Sequence, residues 1–288
     1  MTKEAAKTGA DPTFIVAIEQ YFPEDQRIID DKVAYNILSL GYRTFAWFAR
    51  FKVIRNWLIN YSEKDNPGIW GGILCRKRYI NDKIEESTSQ IQGLVNLGAG
   101  FDTRVYSLKT LSKLPVWELD QYQVMKPKKE RINKILKKIP DNIKMVSIDF
   151  DREETATVLE KNGYSNDMKI FFIWEAVTQY LEEDSVKNIF NFLSNAKTGS
   201  KIAFTYVRQD FINGNNMDGL EDLYKRFVKT GVWKFGMQPC DLPEFLKSYG
   251  WKINEDIGAE DITYKYFKTT RRNFKTTSIE RIVYAEKI

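Results

Sequence analysis

The sequence predicts an α/β protein: an open, mostly parallel sheet with helices on both faces, preceded by a helical, aromatic N-terminal region. Three observations predict it. Short β-rich apolar runs at about 93–97, 115–119, 143–148, 169–174 and 200–207 alternate with helical spacers, and strands separated by helices form a parallel sheet. A Gly-x-Gly turn, Gly98-Ala99-Gly100, follows the first run, and an acid, Asp120, closes the second. The 288 residues, 43% hydrophobic, suffice for one sizeable core.

In the N-terminal part, Tyr42, Phe45, Trp47, Phe48, Phe51 and Trp57 crowd into one stretch, with Trp47, Phe51, Ile54 and Leu58 on one helical face. Arg43, Arg50, Lys52 and Arg55 lie among them, which suits a membrane-surface helix. Large aromatics mostly bury themselves, so packing in the core or in a cap over the substrate is expected instead. The basic run from Lys126 to Lys138 carries an apolar stripe, Ile132, Ile135, Leu136 and Ile139, and reads as a solvated outer helix. The last strand candidates, 250–257 and 280–286, are separated by a long polar, aromatic connection in place of an amphipathic helix.

The glycine turn carries the chemistry. Gly98 and Gly100 let a ligand approach the backbone where strand turns into helix, and an acid about 20 residues on can accept hydrogen bonds from both ribose hydroxyls. A dinucleotide fingerprint needs a third glycine where this chain has Thr103, and no Gly-Lys-Ser/Thr phosphate cradle occurs. The remaining common ligand has a ribose and an adenine but no phosphate: S-adenosylmethionine. Ligands bind outside the carboxyl ends of the strands, so Gly98, Asp120, Asp149 and Glu175 are expected to converge on one crevice. Helix capping by Asp120 and Asp149, and a surface role for Glu175, are the structural alternatives.

Leu97-Gly98-Ala99-Gly100-Phe101-Asp102-Thr103-Arg104 resembles the signature of the leucine carboxyl methyltransferase family, class I methyltransferases that include bacterial polyketide O-methyltransferase relatives. Cys75 to Asp82, Glu118 to Gln121, Ile148 to Phe150, Trp174 to Leu181, Trp233 to Met237 and Phe245 to Trp251 are similar to family segments in the same order. The resemblance implies a Rossmann-like sheet with an antiparallel terminal strand, an N-terminal helical cap at 1–90, and a cofactor-binding core at 91–288 with a lid insertion around 208–240. It also implies that Asp120 holds the ribose, Asp149 and Phe150 the adenine, and Glu175 the methionine end. Arg76 matches the arginine that grips the methionine carboxylate, with Arg78 as the rival; Arg104 is expected to pair with an acid inside the fold.

Composition narrows the partners. With 44 basic and 39 acidic residues the net charge is +5, and no aromatic interleaving of the basic run supports nucleic-acid binding. No signal peptide or run of 18 apolar residues is found, so no membrane partner is expected, and two cysteines, Cys75 and Cys240, suit a reducing cytoplasmic setting. There is no histidine, which removes the usual base near neutral pH and the usual zinc ligand; no metal is expected. A carboxylate acceptor is already ionised and needs no base, so the expected function is O-methylation of a small-molecule or peptide carboxylate. Tyr180, Tyr206 and Arg208 are the acceptor-side candidates. A hydroxyl or amine acceptor, a dinucleotide-dependent oxidoreductase and a non-catalytic cofactor-binding protein are the alternatives.

Overall fold

The computed structural model describes residues 10–150, 152–270, 272 and 274–288; the first residues, on which the expectation about a signal peptide rests, lie outside them. Seven strands form one sheet: β1 (Gly93–Leu97), β2 (Val116–Asp120), β3 (Ile143–Ser147), β4 (Ile170–Trp174), β5 (Lys201–Val207), β6 (Trp251–Ile257) and β7 (Glu280–Lys287), in the order β3-β2-β1-β4-β5-β7-β6. The first five pair in parallel, and β7 runs against both β5 and β6. The expected fold is therefore the one found, with β7 as its reversed strand. The chain turns from building outward through β2 and β3 to building through β4 and β5 at the β1–β4 junction, where such sheets open a ligand crevice.

The period of two along each strand divides the core. Leu94, Phe171, Ile173, Ala203, Ile282 and Tyr284 face one layer, and Val95, Leu97, Phe172, Trp174, Phe204 and Val283 face the other. On the first side lie α1 (Asp11–Glu19) and α5 (Ile69–Ser87), whose Val16, Ile73, Leu74 and Ile80 share that core. Between them run α2 (Ala34–Ile37), α3 (Leu40–Phe48) and α4 (Lys52–Asp65). The short α6 (Arg104–Ser107) follows β1, and α7 (Tyr122–Leu136) follows β2. On the second side α8 (Thr155–Lys161), α9 (Glu183–Ser194) and, later, α12 (Leu242–Ser248) supply Leu159, Phe190 and Leu246. The short α10 (Gln209–Ile212) and α11 (Glu221–Leu223) precede the loop that carries Trp233.

Two expectations change. The connection before β7 contains a helix, α13 (Ala259–Thr270), whose Ile262, Tyr266 and Phe267 form a narrow stripe on the first core, and Tyr266 donates a hydrogen bond to Asp82 of α5 at 2.8 Å. Lysines and threonines dilute that stripe in the sequence. The N-terminal aromatics are not packed as expected either. Helix α3 is seated by the small side chains Ala46 and, just past its end, Ala49, so Phe45, Trp47, Phe48 and Phe51 stay exposed, as does Trp57 of α4. Trp47 packs edge-on against Phe48, and the guanidinium of Arg50 lies 3.5 Å from the centre of its ring. Among the described residues no helix is long and apolar enough to cross a membrane.

Candidate cofactor crevice and adjoining cavity

The turn after β1 is built for close approach. Gly98 and Gly100 hold φ of 71° and 45°, a region that favours glycine, and the N–H groups of Gly98 and Ala99 donate to the Leu119 carbonyl at 2.8 and 2.9 Å. The Gly100 N–H donates to Asp120 Oδ2 at 2.7 Å, and the Gln121 N–H to Oδ1 at 2.7 Å. Asp120 thus ties the turn to the tip of β2. Burial pushes its carboxyl up, and those two donors and Lys128 offset part of the effect.

Below the turn lies a pair that departs from the solvated reading of α7 at one residue: Lys126, Lys129 and Lys134 are exposed as expected, and Lys128 is not. Lys128 is fully buried; its Nζ bonds Glu118 at 2.7 Å and the Ala99 carbonyl at 3.3 Å, so α7 braces the turn from behind. Its neighbours in the basic run gave no sign of this, because burial of one lysine depends on Glu118, a residue of β2. Two charges removed from water in this way hold only while both are present.

A crevice of about 110 Å³ opens above the turn, lined among others by Asn96, Gly98, Gly100, Asp102, Asp120 and Glu175. At its floor three cations meet three carboxylates. Arg76 bonds Glu175 through Nε at 2.8 Å and both oxygens of Glu280 through Nη1. Lys77 lies 3.3 Å from Asp102 and 3.5 Å from Glu175. Arg104 joins Asp102 to Glu175, which fulfils its expected pairing inside the fold. Burial alone would raise both of those acids; the Arg104 charge first, then Lys77, outweighs it and holds Asp102 and Glu175 below the ordinary carboxylate range. Arg78 instead pairs with Asp82 on the half-exposed side of α5.

Beside the crevice lies a second cavity of about 400 Å³, walled by Phe14, Leu58, Trp70, Phe227 and Trp233 among others. Tyr42 and Tyr61 also line it, so part of the N-terminal region does face this space. Pro12, Arg76, Ala176 and Tyr180 border both spaces. Ala176 has φ of 57°, strained for a residue with a Cβ, and its N–H is held by Thr205 Oγ1 at 2.8 Å.

Of the residues singled out in the sequence, Arg76, Gly98, Gly100, Asp120, Glu175 and Tyr180 come together here. Asp149 and Phe150 follow β3 but face a neighbouring hollow or solvent: Phe150 lines a pocket with Arg152 and Asn188, and Asp149 lies near Arg152. Tyr206 is buried in the second core and donates its hydroxyl to Asp256, while Arg208 is paired with Asp210 and Asp218. Neither lines the crevice or the cavity, because β5 points Tyr206 to the far face of the sheet and the acids around Arg208 take up its guanidinium. Sequence reasoning missed Lys77, Asn96 and Glu280 altogether. Asp102 and Arg104 were visible in the motif, whereas Glu280 arrives from β7, 204 positions after Arg76.

The profile of the leucine carboxyl methyltransferase family matches residues 11–194, more than half of the chain. A putative S-adenosyl-L-methionine-dependent methyltransferase of Mycobacteroides abscessus is 26% identical over 187 residues, 63% of this chain and 62% of that protein. One of the same description from Mycobacterium marinum is 24% identical over 261 residues, 86% of this chain and 84% of that one. Among solved structures, a putative methyltransferase from Thermobifida fusca superposes with a TM-score of 0.60 at 13% identity, covering 94% of this chain and 97% of that one. A DUF574 family protein from Streptomyces avermitilis gives 0.59 at 9% identity, covering 95% and 97%. At these identities the structural likeness speaks for the fold. The motif, the strand order and the family match agree: this chain belongs to the leucine carboxyl methyltransferase family.

Proposed function

We propose that this chain methylates a carboxylate oxygen of an acceptor seated in the larger cavity, using the crevice for its cofactor. As a member of its family it is an S-adenosylmethionine-dependent methyltransferase. The observation that carries the reading is the meeting of the two spaces at Arg76, Ala176 and Tyr180, which sets an acceptor side by side with a cofactor.

The crevice residues fit that cofactor. Asp120, at the tip of β2, has a carboxylate for the ribose hydroxyls, and Asn96 has a buried Nδ2 with no protein partner beside the same space. Glu175, Asp102 and Glu280 against Arg76, Lys77 and Arg104 form a network of balanced charge, which offers both signs to a zwitterionic methionine end. Arg76 already spends Nε and Nη1 on Glu175 and Glu280, so it grips a ligand as part of this network and not as a lone fork. When bound, S-adenosylmethionine supplies a methyl group on a positively charged sulfur. Asp149 and Phe150 keep their proposed adenine role only if the loop after β3 turns toward the crevice.

The acceptor side favours a carboxylate. The chain has no histidine, and burial together with Asp11 pushes the Tyr42 hydroxyl up to about 12, so it is no base near neutral pH. The acids of the cavity wall, Asp11 and Glu280, are held by Tyr42 and Arg76. A carboxylate, with a reference pKa of about 4, needs only to be positioned and kept from water. The family's name points the same way.

Incubation of the purified protein with S-adenosylmethionine and panels of carboxylic acids, phenols and amines tests this. The expected product is a methyl ester that mild alkali hydrolyses with release of methanol. An alkali-stable methyl group on the product would overturn the carboxylate assignment and leave methyl transfer standing.

A further inference from the structure

Eight of the eleven large apolar or aromatic side chains that stand exposed among the described residues lie between Leu40 and Tyr61, on α3, α4 and the turn that joins them. Leu40 and Val53 are the most open, at 81% and 82%. Trp47 meets Phe48 and Phe51 edge-on, with ring centres 5.0 and 6.3 Å away, and Val53, Trp57 and Tyr61 recur at every fourth residue along one face of α4. Soluble chains rarely leave apolar surface gathered in this way without a use. The charge around it has one sign. Between Asp31 and Glu63 the sequence has no acid, and Lys32, Arg43, Arg50 and Lys52 stand exposed there. Arg43 borders a hollow that Arg131 and Lys134 of α7 also line, so the basic rim continues past α3. Acids at the edges are engaged: Asp11 accepts the Tyr42 hydroxyl at 2.6 Å, and Glu63 accepts the N–H groups of Gly68 and Trp70. The start of α4 also runs against helix chemistry. Phe51 holds the N-cap position with no side-chain hydrogen bond, and Lys52 sets a cation at the positive end of the helix. Residues placed against local preference mark a use other than folding.

We infer that the α3–α4 corner docks on the surface of an anionic phospholipid bilayer, with Trp47, Phe51 and Val53 entering the headgroup layer and Arg43, Arg50 and Lys52 meeting the phosphates. An interfacial segment requires this pairing: aromatic rings at headgroup level, aliphatic side chains toward the acyl region, and cations on flexible stems with no acid to repel the lipid. The expectation of no membrane partner rested on burial of these aromatics, and they are not buried. Other occupants match the surface less closely. A second copy would bring the same uncompensated cations face to face. A nucleic acid would need open ring faces for its bases, yet Arg50 covers the Trp47 ring at 3.5 Å and Trp57 is stacked on Tyr61 at 5.7 Å. Tyr61 lines the larger cavity as well, so a chain docked on this face holds one edge of that cavity near the bilayer. The docking surface is independent of which acceptor the cavity takes.

The test is flotation of the full chain with vesicles of phosphatidylcholine alone and of phosphatidylcholine with about one third phosphatidylglycerol, at low and high salt. The chain is expected to bind the anionic vesicles about tenfold or more tightly than the neutral ones, and less so as salt rises. Lipids brominated near the top of the acyl chains should quench its tryptophan emission. The double variants Phe45→Ser with Val53→Ser and Arg43→Gln with Lys52→Gln should each weaken binding to the anionic vesicles by about tenfold or more. All four side chains are exposed, so both variants should melt with the parent and keep its affinity for S-adenosylmethionine. Trp47→Phe with Trp57→Phe, which keeps the apolar bulk, should still bind and lose the quenching. Equal affinity for the two kinds of vesicle, binding to neither, or binding unmoved in both double variants would overturn the inference. So would a dimer, or a retained single-stranded oligonucleotide, that Phe45→Ser with Val53→Ser abolishes while vesicles are left unbound by the parent.

Discussion

The crevice and the cavity share a wall and are lined in different ways. In the crevice, Arg76, Lys77 and Arg104 are matched in charge by Asp102, Glu175 and Glu280, while Arg104 Nη1 and Asn96 Nδ2 keep no protein partner. The cavity is walled mainly by apolar and aromatic side chains, Phe14, Leu58, Trp70, Phe227 and Trp233 among them. A charge-balanced network holds its shape before a ligand arrives. An apolar wall selects by shape and by the apolar body that fills it.

The largest effect should come from breaking the network itself. Arg104 is almost fully buried, and Arg104→Leu leaves Asp102 and Glu175 short of their principal counter-charge, a loss expected to cost about 3–5 kcal/mol of stability. Denaturant unfolding measures it. A loss under about 1 kcal/mol would mean that the crevice does not depend on its ion network, and the contrast with the cavity would disappear.

Gly98→Val comes next. A Cβ at Gly98 would lie 2.4 Å from Val177 Cγ2, and φ of 71° strains any side chain, so the substitution should lower stability by about 1–3 kcal/mol as well as weaken S-adenosylmethionine binding. Adding Val177→Ala would relieve the contact and not the backbone strain. If the double variant regains full stability, the contact was the whole cost. Asp120→Ala should weaken S-adenosylmethionine by about 1.5–3 kcal/mol in calorimetry, the scale of hydrogen bonds to a charged group. Unchanged affinity with a lowered melting temperature would reduce Asp120 to a brace for the Gly100 and Gln121 N–H groups.

What the sequence made legible follows from the range of the interactions. The strands β1, β2, β4 and β5 were readable because each is a local run buried on both faces, and Asp120 and Gly98 because their spacing is local too. The network was only half visible: Asp102 and Arg104 stand in the motif, but their partner Glu175 lies 71 positions beyond Arg104 and Glu280 lies on the reversed strand. Lys128 looked like its solvated neighbours because only Glu118 decides its fate. The exposed Trp47 and Phe51 reversed the usual rule for aromatics, since Ala46 and Ala49 do the packing from the other side of the same turn.

Acid titration sharpens the comparison further. Asp102 and Glu175 are depressed when folded, so their stabilisation is fully present above the ordinary carboxylate value of about 4 and is lost as pH falls through the lower folded values. Asp120 and Glu118 are raised by burial, so their effect has the opposite sign: the penalty they carry above their folded values is relieved as pH falls through those values toward the ordinary carboxylate one. In Glu175→Gln the loss of stability below pH 4 should be shallower, by at most about 1.4 kcal/mol per pH unit for the one proton removed. An identical acid limb in parent and variant would show that Glu175 does not carry the network's charge.

The smallest expected effect is none at all, and it belongs to the cavity. If the acceptor is an ionised carboxylate, single-turnover transfer should stay nearly flat from about pH 6 to 8, because neither the acceptor nor a required base titrates there. The chain has no histidine to impose a limb, and the Tyr42 hydroxyl, pushed up to about 12, stays protonated throughout. An alcohol, phenol or amine acceptor would instead give a rate that climbs with pH as its proton becomes easier to remove. Single turnover is the required format, since slow product release would flatten a steady-state profile for any acceptor. A tenfold rise between pH 6 and 8 would place a proton on the acceptor oxygen or nitrogen and overturn the carboxylate reading.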